Sequence, residues 1–200
     1  MEEDAASAKE LAEAKELRIR ELQRDLVGVR YAGATLASVN LPKSTGTEIA
    51  KWLDKGEYFL VFLGAPGIGK TYFCAALLAW KFGKYRSVRY WNERDLFSRL
   101  RNVISSDKGD MVKELHNMTD DEFMIFDDLA SSSINEWRSE MLFELIDRRY
   151  ESKLPTVFTS NLTKDELFKA LGPRSHSRLF AKQNTIIEMH EAADLRKEGK

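Results

Sequence analysis

The chain is poor in the residues that staple or interrupt folds: one cysteine, four prolines and eleven glycines in 200 residues. The single cysteine, Cys74, cannot close an internal disulfide, which fits a reducing, cytoplasmic setting. No apolar run approaches the roughly 20 residues that a membrane-spanning helix needs, so no membrane partner is expected. The opening Met1-Glu2-Glu3-Asp4 is acidic where a secretory leader is basic, and it does not read as a signal peptide. Net charge is also nearly missing: 31 Lys+Arg against 32 Asp+Glu leave −1. That balance argues against a uniformly basic nucleic-acid coat, while leaving room for a local basic groove. What is present is 43% hydrophobic and 10% aromatic residues, enough for one ordinary domain with a modest extension.

Residues 1 to about 27 carry no glycine or proline and are rich in Ala, Glu, Lys, Leu and Arg, all good helix formers. A heptad-like stripe runs through Ala5, Ala8, Ala12, Lys15, Ile19, Leu22, Leu26 and Val29, apolar mainly in its second half. Residues 1–30 therefore read as a helical arm, resting on its own domain or docking a partner. Residues 31–190 read as the main domain and 191–200 as a polar tail. Within the domain five short runs predict strands: Tyr58–Leu63, Val88–Trp91, Phe123–Phe126, Thr156–Thr159 and Thr185–Met189. Helical patterns at Thr71–Lys81, Glu93–Val103, Glu136–Tyr150 and Lys164–Leu171 separate them. Alternating strands and helices predict a mostly parallel sheet covered on both faces, an α/β architecture. Asn92 reads as a cap, Thr163 to Glu166 as a capping box, Gly83 as a helix-closing residue, and Ser105–Asp110 as an exposed loop.

Gly64-Ala65-Pro66-Gly67-Ile68-Gly69-Lys70-Thr71 fits G-x-x-x-x-G-K-[ST] at every fixed position, with Tyr72 following. Glycines let the backbone turn its N–H groups toward phosphate oxygens, and a helix opening there adds its positive end. Lys70 is expected on the β- and γ-phosphates and the Thr71 hydroxyl on Mg²⁺, which makes ATP with Mg²⁺ the expected ligand. Phe123–Phe126 then runs into Asp127-Asp128: Asp127 is expected to hold the metal and Asp128 to act as general base on water. The run at Thr156 ends in Asn161, a polar tip suited to positioning water and sensing the γ-phosphate. Arg174 and Arg178, spaced i and i+4, can share one helical face, either as surface salt bridges or aimed at a neighbouring subunit's nucleotide.

Together these elements resemble the AAA+ ATPases, and more narrowly the DnaC/IstB group of replicative-helicase loaders and transposition helper ATPases. The resemblance runs from Tyr31 to Met189. It is carried by Tyr31–Leu36, Gly64–Thr71, Asn92–Leu96, Phe126–Leu129, Leu145–Tyr150, Pro155–Asn161 and Ser177–Leu179. It implies a P-loop NTPase core with a five-stranded parallel sheet, and self-association that places ATP at subunit junctions. It further implies Asn161 as sensor and Arg178 as the arginine finger, with Arg174 second. A hexameric replicative helicase and single-stranded DNA are the implied partners, the DNA contacted through roughly Glu93–Met118. Tyr31–Leu36 resembles the stretch that packs near adenine. Asp128 stands where many AAA+ proteins carry Glu, which implies slow turnover. The chain ends soon after the fifth strand, so no C-terminal lid domain is expected. The N-terminal arm is short and lacks the cysteines of a zinc-bearing helicase-binding domain.

Two other functions fit the same residues: a transposition helper acting on duplex DNA, and an ATP-controlled interaction protein with little hydrolysis. Lys81, Lys84, Arg86 and Arg89 interleave with Phe82, Tyr85, Tyr90 and Trp91, which suits stacking on single strands. The same residues also suit a helix C-terminus followed by a strand. His116, His176 and His190 show no metal spacing.

Overall fold

The computed structural model describes residues 2–56, 58–105, 110–131 and 133–189. Ser106–Gly109 of the expected loop, His190 and the tail 191–200 lie outside them. Five strands, β1 (Phe59–Gly64), β2 (Val88–Asn92), β3 (Phe123–Asp127), β4 (Thr156–Ser160) and β5 (Thr185–Met189), form one parallel sheet. Their order is β2-β3-β4-β1-β5. All five expected runs are strands, and four ends extend by a residue into polar or glycine positions. Tyr58 is the exception at the start: its φ of 64° turns the chain and keeps it out of the ladder.

Helices α1 (Glu2–Leu26), α2 (Lys43–Lys55), α3 (Lys70–Lys81), α4 (Glu93–Ser105), α5 (Met111–Thr119), α6 (Glu136–Glu151) and α7 (Lys164–Leu179) surround the sheet. β1 is buried along its whole length, and its side chains alternate between two cores. Phe59, Val61 and Leu63 pack with Leu96 and Leu100 of α4 and Leu142 and Leu145 of α6. Leu60 and Phe62 pack with Phe73 and Leu77 of α3 and Trp52 of α2. This two-sided burial is why the strand is a continuous apolar run rather than an alternating one.

Two helices escaped the sequence pattern. α2 contains Ser44, Thr45, Gly46 and Thr47, all weak helix formers, and forms around the buried Ile49 and Trp52. α5 is short and is started by Asp110, whose side chain accepts the Val112 and Lys113 N–H groups. α7 runs past the expected Leu171 because it is two helical pieces. Gly172 at φ 76° breaks it and Pro173 opens the second piece. The capping box at Thr163 and Glu166 forms as expected, and Gly83 takes φ 81° just beyond α3.

The arm rests on the domain through its C-terminal half. Ile19 and Leu22 are half-buried, while Leu11 and Leu17 are exposed. The expected stripe fails at its end: Leu26 and Val29 are exposed, and the fully buried residue is Gln23. Gln23 donates to the carbonyls of Ala34 (2.8 Å) and Ala75 (2.9 Å) and accepts the Gly33 N–H (2.7 Å). A polar side chain wins this position because three backbone groups converge on it. No helix among the described residues is long and apolar enough to cross a membrane.

Candidate functional site

The order β3-β4-β1 brings three strand ends side by side at the carboxyl edge of the sheet, where α/β folds bind ligands. After β1, Gly67 (φ 88°) and Gly69 (φ 96°) turn the chain in the left-handed region. Gly64 is forced by packing: a Cβ there would lie 2.3 Å from the Ile68 side chain and 2.7 Å from the Met189 carbonyl. Gly69 caps α3 without any side-chain hydrogen bond, so the first N–H groups of the helix stay available to an anion. Lys70, 5% exposed, donates to the carbonyls of Gly64 (2.7 Å) and Ala65 (2.9 Å) and to Asn161 Oδ1 (2.7 Å).

Asp127, at the end of β3, is buried and heavily hydrogen-bonded. Its Oδ2 accepts the Thr71 hydroxyl (2.9 Å) and the Tyr90 phenol (2.8 Å), and its Oδ1 accepts the Thr159 hydroxyl. Burial first, and Asp127 next, push the Tyr90 phenol up, so it remains a donor. Cys74 lies under the same carboxylate, its Sγ 3.8 Å from Oδ1, and burial pushes its thiol up too. It is a core residue of α3, as expected from its place on that helix. Asp128 adopts φ 62°, a left-handed conformation that aspartate tolerates better than most residues. Its carboxylate accepts from Asn161 Nδ2 (3.3 Å) and Asn92 Nδ2 (3.4 Å). Burial and then Asp127 raise its pKa, with Lys70 pulling the other way.

Lys70, Thr71, Asp128 and Asn161 face a cavity of about 710 Å³ lined also by Pro66, Gly67, Gly69, Tyr72, Arg30 and Tyr31. Uncapped N–H groups, a lysine and two tyrosines around one cavity fit a nucleoside triphosphate. A hydroxyl and a carboxylate 2.9 Å apart, Thr71 and Asp127, are the hard oxygen donors that Mg²⁺ takes. Among the described residues no three His, Cys, Asp or Glu side chains converge to hold a metal, so such an ion would complete its shell with water and phosphate. Of the expected nucleotide-binding residues, Ile68 turns inward to the core and Gly64 packs on Met189, so both shape the loop from beneath.

Arg174 and Arg178 do share a face, but away from this cavity. They line a second hollow with Phe143, Asp147, Pro173 and Ser177. Arg178 pairs with Asp147 (2.8 Å) and Glu151 (3.2 Å), and the Arg174 guanidinium sits 3.8 Å from the centre of the Phe143 ring. Within one chain the structure therefore joins Lys70, Thr71, Asp127, Asp128 and Asn161, and leaves both arginines outside.

Of the basic-aromatic interleaving, Lys81 and Tyr90 are internal, whereas Lys84 and Arg86 are exposed. Lys81 is 2% exposed, ringed by Trp52, Trp80, Tyr85 and Phe123 within 4.8–5.5 Å of each ring centre. Tyr90 is buried on Asp127 and Arg89 pairs with Asp121 (2.9 Å). The exposed face of α4 instead carries Arg94, Arg99 and Arg101. Sequence reasoning missed Tyr90 and Thr159 as partners of Asp127, Asn92 as a partner of Asp128, and Glu93 beside them. Only Asn92 had a signal, and that signal was for its capping bond to the Arg94 N–H (3.0 Å), which is present.

Comparison with known proteins agrees with this geometry. A replicative helicase loader, DnaC of Escherichia coli K12, is 24% identical over 119 residues, covering 60% of this chain and 49% of that protein. An ATP-binding protein of insertion sequence IS5376 from Geobacillus stearothermophilus is 28% identical over 121 residues, covering 60% of this chain and 47% of that one. The chain thus spans about half the length of these curated relatives. Among solved structures, a crystal structure of the DnaC helicase loader superposes with a TM-score of 0.67 at 23% identity, over 80% of this chain and 98% of that one. This likeness shows the fold, a five-stranded parallel sheet flanked by helices. The model of the IstB-like ATP binding protein family matches residues 38–176, more than half of the chain, and the chain belongs to that family.

Proposed function

We propose that this protein hydrolyses ATP and uses the cycle to load a replicative helicase onto single-stranded DNA. The observation that carries the hydrolytic part is the convergence of Lys70, Thr71, Asp128 and Asn161 on one cavity, with Asp127 hydrogen-bonded to Thr71. Lys70, now on Asn161 and two carbonyls, transfers its donors to the β- and γ-phosphates. Thr71 and Asp127 would hold Mg²⁺, which when bound would supply charge neutralisation at the phosphates. Tyr90 and Thr159 donate to the Asp127 carboxylate, so its orientation is fixed before nucleotide arrives. Asp128 accepts the proton of the attacking water while Asn161 orients it. Tyr31, Tyr72 and Arg30 flank the base. Arg178, with Arg174 as alternate, acts on the nucleotide of a neighbouring copy and stabilises transition-state charge there.

The loader role rests on the likeness to DnaC, and the exposed Arg94, Arg99 and Arg101 on α4 supply a basic face for DNA. The exposed half of α1 is the proposed helicase-docking arm. The IS5376 relative and the family model favour a second reading, a transposition helper on duplex DNA. ATPase assays of the full chain with single-stranded and duplex DNA, with a hexameric replicative helicase as bait, separate the two. Stimulation by single strands and helicase capture support the loader; ATP-dependent filaments on duplex without helicase capture support the helper. Loss of partner assembly in Lys70→Ala, with Asp128→Ala fully functional, points instead to an ATP-controlled interaction protein.

A further inference from the structure

The backbone that carries Asp128 is held in an unfavourable shape. Asp128 (φ 62°) and Ala130 (φ 60°) both lie in the left-handed region, two non-glycine residues within three positions. Such conformations persist only where the surroundings over-determine them. Here nearly every peptide group is pinned. The Asp128 N–H donates to Thr159 Oγ1 (3.1 Å), the Leu129 N–H to the Thr159 carbonyl (2.7 Å), and the Leu129 carbonyl accepts from Ser160 Oγ (2.6 Å). Those contacts come from β4 and hold the first part of the turn. The second part is closed by the Ser131 N–H, which donates to the Asp128 carbonyl (3.1 Å), and is held from the other side by the Glu93 carboxylate at the start of α4, which accepts the Ala130 N–H.

Glu93 is fully buried and would be an expensive choice for a merely structural contact. Its second oxygen accepts from Arg138 Nη2 on the first turn of α6, and the Arg138 guanidinium covers the Phe97 ring at 4.7 Å. Burial pushes the Glu93 carboxyl up, and the Ala130 and Arg138 bonds oppose that shift. An aliphatic residue would pack here without these charges. The carboxylate supplies what an aliphatic residue lacks, an acceptor for the left-handed Ala130 amide.

We infer that Glu93, braced by Arg138, is a positioning residue: by binding the Ala130 N–H it fixes the left-handed turn that aims Asp128 at the nucleotide cavity. This rests on Asp128 being the base of the hydrolytic reaction. A misplacement of about 1 Å in a reacting group costs on the order of 100-fold in rate, whereas the phosphate-binding loop lies on another strand. Glu93→Leu, which removes the acceptor that a glutamine would keep, should therefore lower kcat by roughly 10- to 100-fold, with affinity for a non-hydrolysable ATP analogue and KM nearly unchanged. Ala130→Gly added to Glu93→Leu should recover much of that loss, because glycine adopts positive φ without strain.

The experiment measures kcat, KM and analogue binding for the full chain, Glu93→Leu, Glu93→Leu/Ala130→Gly and Asp128→Asn, each with a melting curve. If Glu93→Leu melts below the assay temperature, Glu93→Leu/Arg138→Leu, which removes both buried charges, takes its place with and without Ala130→Gly. A kcat-selective loss rescued by glycine supports the inference. Wild-type kcat in a folded Glu93 variant, parallel loss of binding and kcat, or no rescue by glycine overturns it while leaving Asp128 as base. Wild-type turnover in Asp128→Asn overturns the reading of the base itself.

Discussion

Gln23 joins the arm to the nucleotide site, and its removal should be felt in both. The Gln23→Ala variant deletes an acceptor for the Gly33 N–H and a donor to the Ala34 carbonyl, with the Ala75 carbonyl retaining its own helical partner inside α3. Leaving a buried donor or acceptor unmade costs about 1–3 kcal/mol, so two such groups span about 2–6 kcal/mol, and the exposure of Gly33 puts the loss toward the lower end, about 3 kcal/mol. Ile19 and Leu22 still pack, so the loss falls on docking of α1 and the 28–35 segment rather than on the sheet. At about 1.4 kcal/mol per tenfold, amide protection in that segment should fall roughly 100-fold. Arg30 and Tyr31 lie in this segment and line the cavity, so affinity for an ATP analogue should fall with it. Gln23→Glu should be worse, because it turns carboxylate oxygens toward the Ala34 and Ala75 carbonyls. The assay is hydrogen exchange resolved over residues 19–35, beside a titration with fluorescent ATP analogue. Unchanged exchange there in Gln23→Ala would refute the assignment of Gln23 as the anchor.

Other consequences follow from the same geometry. Lys70→Ala should abolish nucleotide binding, whereas Asp128→Asn should bind the analogue normally and turn over at least about 100-fold more slowly; equal binding loss in both would count against separate roles. The active form of Asp128 is deprotonated, and burial with Asp127 raises its pKa, so the acid limb of the kcat profile should sit above the ~3.9 of free aspartate. Lys81 is drawn down to about 8, by burial first and Lys84 second, from an ordinary 10.5. Between those values the unfolded chain binds more protons than the folded one, so this group makes stability rise with pH across that window. Lys81→Met should remove that increment in denaturant melts at pH 7.5 to 10.5; an identical slope in both proteins would refute it. Arg178→Ala should lower the ATPase rate of the assembled protein while sparing analogue affinity of the isolated monomer, and loss of both would argue against action on a neighbouring copy.

The strands and the phosphate loop were legible because their signals are local. β1 is a continuous apolar run and β3 is one up to Asp127, which a doubly covered sheet explains, and Gly64–Thr71 needs its residue types at fixed spacing. α2 and α5 were not legible. The former is built from weak helix formers held by Ile49 and Trp52, and the latter is a nine-residue helix started by a single cap. Gln23 was hidden for a related reason. Periodicity sees apolar stripes, and nothing in a 25-residue helix announces that three distant backbone groups will meet one amide.

By itself, then, the sequence determined the α/β class and the five strands, and it singled out Lys70, Thr71, Asp127, Asp128 and Asn161, each in or beside a motif, which the fold brings together. Tertiary structure alone decided that Tyr90 and Thr159 hold Asp127, that Asn92 and Glu93 reach the Asp128 turn from the neighbouring strand end, and that Lys81 belongs to the core rather than to a binding face. It also decided that Arg174 and Arg178 lie outside the chain's own cavity. The division has a physical cause: a motif fixes backbone shape over a few residues, whereas these partnerships depend on strand order, which joins positions 30 to 40 residues apart.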